Sequence, residues 1–185
     1  MKKFYTRTGD DGKTGILGEG RVEKFDLRME ALGTLDELSA ALGLARSLQN
    51  DPQIGERIVK IQRKLYEVMA EVAASPENAG KFAQINEDTL VSLEEQIDRI
   101  SMQVEVPDGF IVPGETPESA AIALARTITR RAERRVAELL DRGDLQNPFV
   151  LRYLNRLSSL FFIMELELIA QHAAKKPLMA KDKKE

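Results

Sequence analysis

Three long helical patterns in this chain open on a capping residue directly before a proline: Asp51-Pro52, Thr116-Pro117 and Asn147-Pro148. A carboxylate, hydroxyl or amide oxygen at such a position accepts from the free N–H groups of a first helical turn. Proline at the next position lacks only an N–H that would have had no partner. Each pair therefore predicts a helix start, and apolar residues at helical spacing follow each one. After Asp51-Pro52 the stripe is Ile58, Ile61, Leu65, Val68, Met69 and Val72, up to Ala74. After Thr116-Pro117 it is Ala121, Ala125, Ile128, Ala132, Val136 and Leu139, stopping at Asp141-Arg142-Gly143, where glycine suits the position past the cap. After Asn147-Pro148 it includes Val150, Leu154, Leu157, Leu160, Phe161 and Met164 and runs to about Ala174.

Two further helical patterns start without proline. One spans about Asp26 to Leu48 despite Gly33 and Gly43; the other opens at Asn86-Glu87-Asp88 and carries Leu90, Leu93, Ile97 and Ile100. Ser75 to Ile85 reads as a loop, and Val104 to Gly114 as extended or looped. The fold expected is all-α, a single-domain five-helix bundle over residues 1–175 with an irregular glycine-rich N-terminal segment. The charged stretch 176–185 is expected to be a disordered tail.

At 185 residues the chain can bury one sizeable core. It has no cysteine, which excludes disulfides, zinc-thiolate sites and cysteine nucleophiles and fits a cytoplasmic setting. Its single histidine, His172, leaves no paired Glu-x-x-His motifs for a di-iron bundle. A net charge of -3 speaks against nucleic-acid binding. No signal peptide is expected from Met1 to Arg7, and the longest apolar run, Leu160 to Leu168, is broken by Glu165 and Glu167, so no membrane span is expected.

Two stretches carry candidate chemistry. Arg126 to Arg135 is rich in arginine within an acidic chain, and Arg126, Arg130, Glu133 and Arg134 fall together, opposite the apolar stripe. Arginine's planar fork binds phosphate oxygens bidentately, so the face is either an anion site or a salt-bridged surface helix. The second stretch, Tyr5 to Gly15, has glycines at 9, 12 and 15, hydroxyls at Thr6, Thr8 and Thr14, and a cation at Lys13; Lys24 follows. It reads equally as a frayed terminus or as a phosphate loop, and it lacks the spacing of a P-loop.

Four blocks in order resemble the PduO-type ATP:cob(I)alamin adenosyltransferase family. They are Tyr5-Thr6-Arg7-Thr8-Gly9-Asp10-Asp11-Gly12; Gly33-Thr34-Leu35-Asp36-Glu37-Leu38; Arg126 with Arg130-Arg131-Ala132-Glu133-Arg134; and Arg152-Tyr153-Leu154-Asn155-Arg156-Leu157-Ser158. The resemblance implies a homotrimer with ATP bound where subunits meet. It implies transfer of the 5′-deoxyadenosyl group of ATP to cob(I)alamin, with triphosphate leaving and a flavoprotein-type reductase supplying electrons. By resemblance, Thr6, Arg7, Thr8, Gly9, Lys13, Thr14, Gly15 and Lys24 surround the triphosphate, with Mg2+ bridging its oxygens and no protein metal ligands assigned. Arg130 and Arg134, oriented by Glu133, complete the cation shell, and Asn155 holds the nucleotide. Asp36 pairs with Arg126 across the subunit boundary. Phe110 lies on the cobalt side and keeps the lower axial ligand away.

The chain departs from the family pattern at Ser159, where an aspartate is usual, and at Glu115, where a glycine is usual. Two other classes stay open at this level. One is a nucleotide-binding bundle without corrinoid chemistry, and the other is a structural helical interaction protein.

Overall fold

The computed structural model describes residues 3–172 and 175–181. In chain order the elements are β1 (Lys13–Gly15), β2 (Arg21–Glu23), α1 (Leu27–Ser47), α2 (Pro52–Ala73), α3 (Ala79–Phe82), α4 (Glu87–Ser101), β3 (Ile111–Val112), α5 (Pro117–Asp141), α6 (Pro148–Ala170) and β4 (Leu178–Met179). The three cap-proline pairs open α2, α5 and α6. Asp51 accepts from the Gln53 N–H, Thr116 from Ser119 and Asn147 from Phe149. Asp26 and Asn86 cap α1 and α4 in the same way.

The five expected helices are joined by a sixth, the four-residue α3, in the segment read from sequence as a loop. A single turn is too short to show periodicity, and Pro76 opens a 3-10 turn just ahead of it. Buried Ile85 anchors this segment to the core. α6 ends at Ala170, a turn short of the expected Ala174; Ala173 and Ala174 lie outside the described residues.

α6 is the central helix. It is apolar nearly all round, as a helix covered on most sides must be, and α5 and α4 pack against it. α5 also packs on α1, and α1 on α2. Leu35, Leu38 and Leu42 of α1, Leu65 of α2, Ile122 and Leu139 of α5, and Leu154 and Phe161 of α6 are fully buried together. Each such side chain contributes about 1.5–3 kcal/mol through burial.

Two polar ties close one end of the bundle. Buried Arg28, in the first turn of α1, donates to the carbonyls of Val72 and Ala74 at the end of α2 and to that of Asp144 just past α5. Buried Glu71 accepts from the Asn147 amide and the Ile85 N–H, and burial raises its pKa above the usual carboxylate value.

The glycine-rich segment forms a β1–β2 hairpin, Thr14 opposite Val22. It docks on the end of α2, where Leu17 N–H donates to Ala73 and Leu17 carbonyl accepts from Ser75. Of the stretch expected to be a tail, Leu178–Met179 forms β4 and pairs antiparallel with β3; residues 182–185 lie outside the described residues. Among the described residues no helix is long and apolar enough to cross a membrane.

Candidate active site

Ahead of β1, the chain turns through Arg7 at φ 61° and Gly12 at φ 82°, both in the left-handed region that lets successive N–H groups converge. The Thr6 and Thr8 hydroxyls are 2.8 Å apart. Arg21 holds the loop's shape: its fork grips Asp11 at 2.7 and 2.8 Å and also donates to the Thr8 and Lys13 carbonyls. The Arg21 hydrogen bonds, aided by the Lys13 N–H, hold the Asp11 carboxyl down to about 2. Lys13 pairs with Glu23 at 3.3 Å. A Cβ on Gly9 would stand 3.0 Å from the Lys24 ammonium, so glycine there gives Lys24 its place over the loop.

The second cationic surface lies on α5. Glu133 accepts from the Asn155 amide of α6 at 2.9 Å, and Arg134 donates to the Arg130 carbonyl at 2.9 Å. Asn155 in turn accepts from Arg156, which reaches Glu94 of α4. Among the described residues the Arg130 guanidinium makes no hydrogen bond or ion pair and is exposed. It lines a cleft of about 360 Å3 with Arg126, Ser158, Ser159, Phe162 and others. The departure at Ser159 therefore sits in this cleft.

Arg126 is half-buried rather than free. Its Nε lies 3.8 Å from Oε2 of Glu165 on α6, and its guanidinium lies over the Phe162 ring, 6.0 Å from the centroid. Glu165 is wholly buried, and neither of its oxygens has a hydrogen-bond partner. Burial pushes its pKa up, and Arg126 opposes the shift. Asp36 is exposed on α1 and makes no ion pair within the chain among the described residues, while its neighbour Glu37 pairs with Arg131.

The structure thus gathers Arg126, Arg130, Glu133, Arg134 and Asn155 on one face. It gathers Thr6, Arg7, Thr8, Gly9, Lys13, Thr14, Gly15 and Lys24 on the hairpin. It does not bring the two groups together within one chain: no hydrogen bond or ion pair links them among the described residues. The hairpin sits at the end of the bundle where α5 stops, and Arg126 lies fifteen residues before Asp141, roughly 22 Å back along the helix. Phe110 stands apart from both, beyond the start of α5, with its side chain 87% exposed.

The family model described as cobalamin adenosyltransferase matches residues 4–168. The chain belongs to the cobalamin adenosyltransferase family. A corrinoid adenosyltransferase of Bacillus subtilis is 40% identical over 164 residues, covering 86% of this chain and 83% of that protein. One from Citrobacter freundii is 36% identical over 165 residues, covering 89% and 93%. Among solved structures, a variant PduO-type ATP:corrinoid adenosyltransferase from Lactobacillus reuteri complexed with cobalamin and ATP superposes with a TM-score of 0.87. It is 32% identical and covers 97% of this chain and all of that one.

Two residues that hold these candidate groups in a chain of the cobalamin adenosyltransferase family escaped the sequence reading. Arg21 was passed over as part of an irregular segment, although an arginine ten residues from an aspartate across a glycine-rich turn is compatible with a hairpin clasp. Glu165 was read only as an interruption of an apolar run. An acidic residue within an otherwise apolar stripe is itself a signal, because burial demands a cation nearby.

Proposed function

We propose that this chain transfers the 5′-deoxyadenosyl group of ATP to cob(I)alamin, giving adenosylcobalamin and triphosphate. We propose further that it works as a homotrimer, each site formed by the hairpin of one subunit and the arginine face of the next. The observation that carries this reading is the separation of two surfaces that each keep a cation with no carboxylate partner among the described residues, Lys24 beside the hairpin and Arg130 on α5. Each suits a polyphosphate, and a single chain does not unite them.

In the reaction an electron pair on cobalt forms the bond to the 5′ carbon as the bond from that carbon to the triphosphate oxygen breaks. The protein's task is to hold the two in line and to stabilise charge gathering on the leaving group. Arg130, unpaired and exposed in its cleft, is the donor best placed for that charge. Arg134 and Glu133 fix the local geometry, Glu133 through Asn155, which would in turn hold the nucleotide. Thr6, Arg7, Thr8, Gly9, Lys13, Thr14, Gly15 and Lys24 would enclose the triphosphate from the neighbouring subunit. Asp36 of that neighbour would meet Arg126, whose Nε makes no hydrogen bond among the described residues.

Among the described residues no three carboxylate, histidine or cysteine side chains cluster in a metal-binding arrangement. Magnesium would therefore be carried by triphosphate oxygens and water, which suits an ion that keeps much of its hydration. Phe110 would face the cobalt side and exclude the lower axial ligand, and a flavoprotein-type reductase in the cytoplasm would supply the electrons. The test is anaerobic incubation of cob(I)alamin with MgATP. Adenosylcobalamin and triphosphate should form in equal amounts; ATP binding without either product would refute the transfer.

A further inference from the structure

The family match ends at residue 168, yet the chain beyond it returns to the loop that carries Phe110. β4 pairs with β3, Met179 opposite Ile111 and Leu178 opposite Val112. The ladder extends one residue further, where the Ala180 N–H donates to the Phe110 carbonyl at 2.8 Å. On the other side of Phe110, Gly109 has φ 141°, and a Cβ there would stand 3.2 Å from the Met179 methyl carbon. At the far end of the loop the Lys175 ammonium donates to the Glu115 carbonyl. The Phe110 side chain is 87% exposed, so the core does little to orient it. Its direction is set by its backbone, and that backbone is held by the returning strand.

We propose that residues 178–180 form a strap that positions Phe110 for the corrinoid step without acting on the nucleotide. These are positioning residues: they reach the corrinoid only through the loop they pair with. The proposal rests on the reading of Phe110 as the cobalt-side aromatic. Among the described residues no hydrogen bond or ion pair joins this strap to the hairpin or to Arg130, so its influence should divide between the two substrates.

Ala180→Pro in the full-length chain removes the one N–H that bonds Phe110. Ala180 is exposed, and the residue before a proline favours the extended backbone that Met179 already has. Ala180→Ser keeps the N–H and serves as the control. The expected loss is that of one backbone hydrogen bond, a roughly three- to tenfold rise in KM for cob(I)alamin. KM for ATP should be unchanged, and the four-coordinate fraction of bound cob(II)alamin, read by electron paramagnetic resonance with MgATP, should fall. Ala180→Ser should match the wild type.

Phe110→Ala is measured alongside. If Phe110→Ala changes the cobalt spectrum while Ala180→Pro alters neither the spectrum nor the corrinoid KM, the strap is refuted and the reading of Phe110 stands. If Phe110→Ala leaves the spectrum unchanged, the reading of Phe110 fails and the strap proposal falls with it. An Ala180→Pro chain whose ATP KM rises as much as its corrinoid KM has loosened generally, which also overturns the proposal.

Discussion

Replacing Arg126 by methionine would leave the Glu165 carboxylate in the core with nothing opposite it. Glu165 is 0% exposed, and Arg126 is 3.8 Å away with a quarter of its side chain exposed. At that separation and an effective dielectric of about 20, the attraction is about 4 kcal/mol. Removing one partner of a buried pair costs about 3–5 kcal/mol, whereas replacing both by apolar groups is often neutral. We therefore expect Arg126→Met to lower stability by about 3 kcal/mol, about 6–12 °C in Tm for a chain of this size. Glu165→Leu should cost only about 1 kcal/mol, because Arg126 can turn to water, and the double variant should lie near the wild type. Thermal and urea unfolding of all four proteins, at one protomer concentration, gives the coupling energy directly. Repeating the cycle with Asp36→Asn separates any contribution from a neighbouring subunit.

Acidity provides a second readout. Burial raises the pKa of Glu165 above its ordinary 4.5, so the folded state binds that proton more tightly than the unfolded state does. Its stabilising effect is full below pH 4.5 and is lost as pH rises through the raised folded value. Arg126→Met should steepen this loss and Glu165→Leu should flatten it; Glu71, also raised, contributes in the same direction throughout. Equal effects of Arg126→Met in the wild-type and Glu165→Leu backgrounds, within about 0.5 kcal/mol, would show that the two residues are not coupled.

Arg130→Lys keeps the charge but loses the planar fork, and kcat should fall on the order of tenfold to a thousandfold with ATP affinity less affected. Single-turnover kinetics check this, and an unchanged kcat contradicts the role. Amide exchange over residues 5–20 should slow on adding MgATP, since the hairpin is mostly exposed in the free chain; equal protection in both states argues against a nucleotide loop. Arg21→Met should weaken ATP binding while leaving Tm nearly unchanged, because the side chain organises only the exposed loop; normal ATP affinity would show that the clasp is dispensable. Sedimentation should give the mass of three chains, and a one-chain mass at assay concentration would exclude the shared site.

Helix starts were legible because Asp51, Thr116 and Asn147 announce themselves locally, by capping chemistry that needs no knowledge of the rest of the fold. The family was legible because four short blocks keep their order. Arg126 was placed on the correct face, but a helical wheel knows nothing of α6, so its contact with Glu165 stayed hidden. Glu37 is exposed, yet it pairs with Arg131 ninety-four residues away, a contact no local pattern shows. Lys175 to Lys181 looked like charged tail because two apolar residues, Leu178 and Met179, are too few to show alternation. Their pairing with Ile111 and Val112 depends on where α5 and α6 bring the ends of the chain.

Arg28 has a consequence for the hairpin above it. A helix end carries roughly half a negative charge at its C-terminus. The hairpin docks on the end of α2, and the end of α5 lies beside it, so a triphosphate held there would face about one full negative charge from the two helices. Arg28 donates to carbonyls at the end of α2 and to that of Asp144 just past α5, and among the described residues it pairs with no carboxylate. Its single positive charge opposes the combined field beneath the hairpin. Arg7 and Lys24, which pair with no carboxylate among the described residues, are then left to act on the ligand rather than on the bundle beneath them.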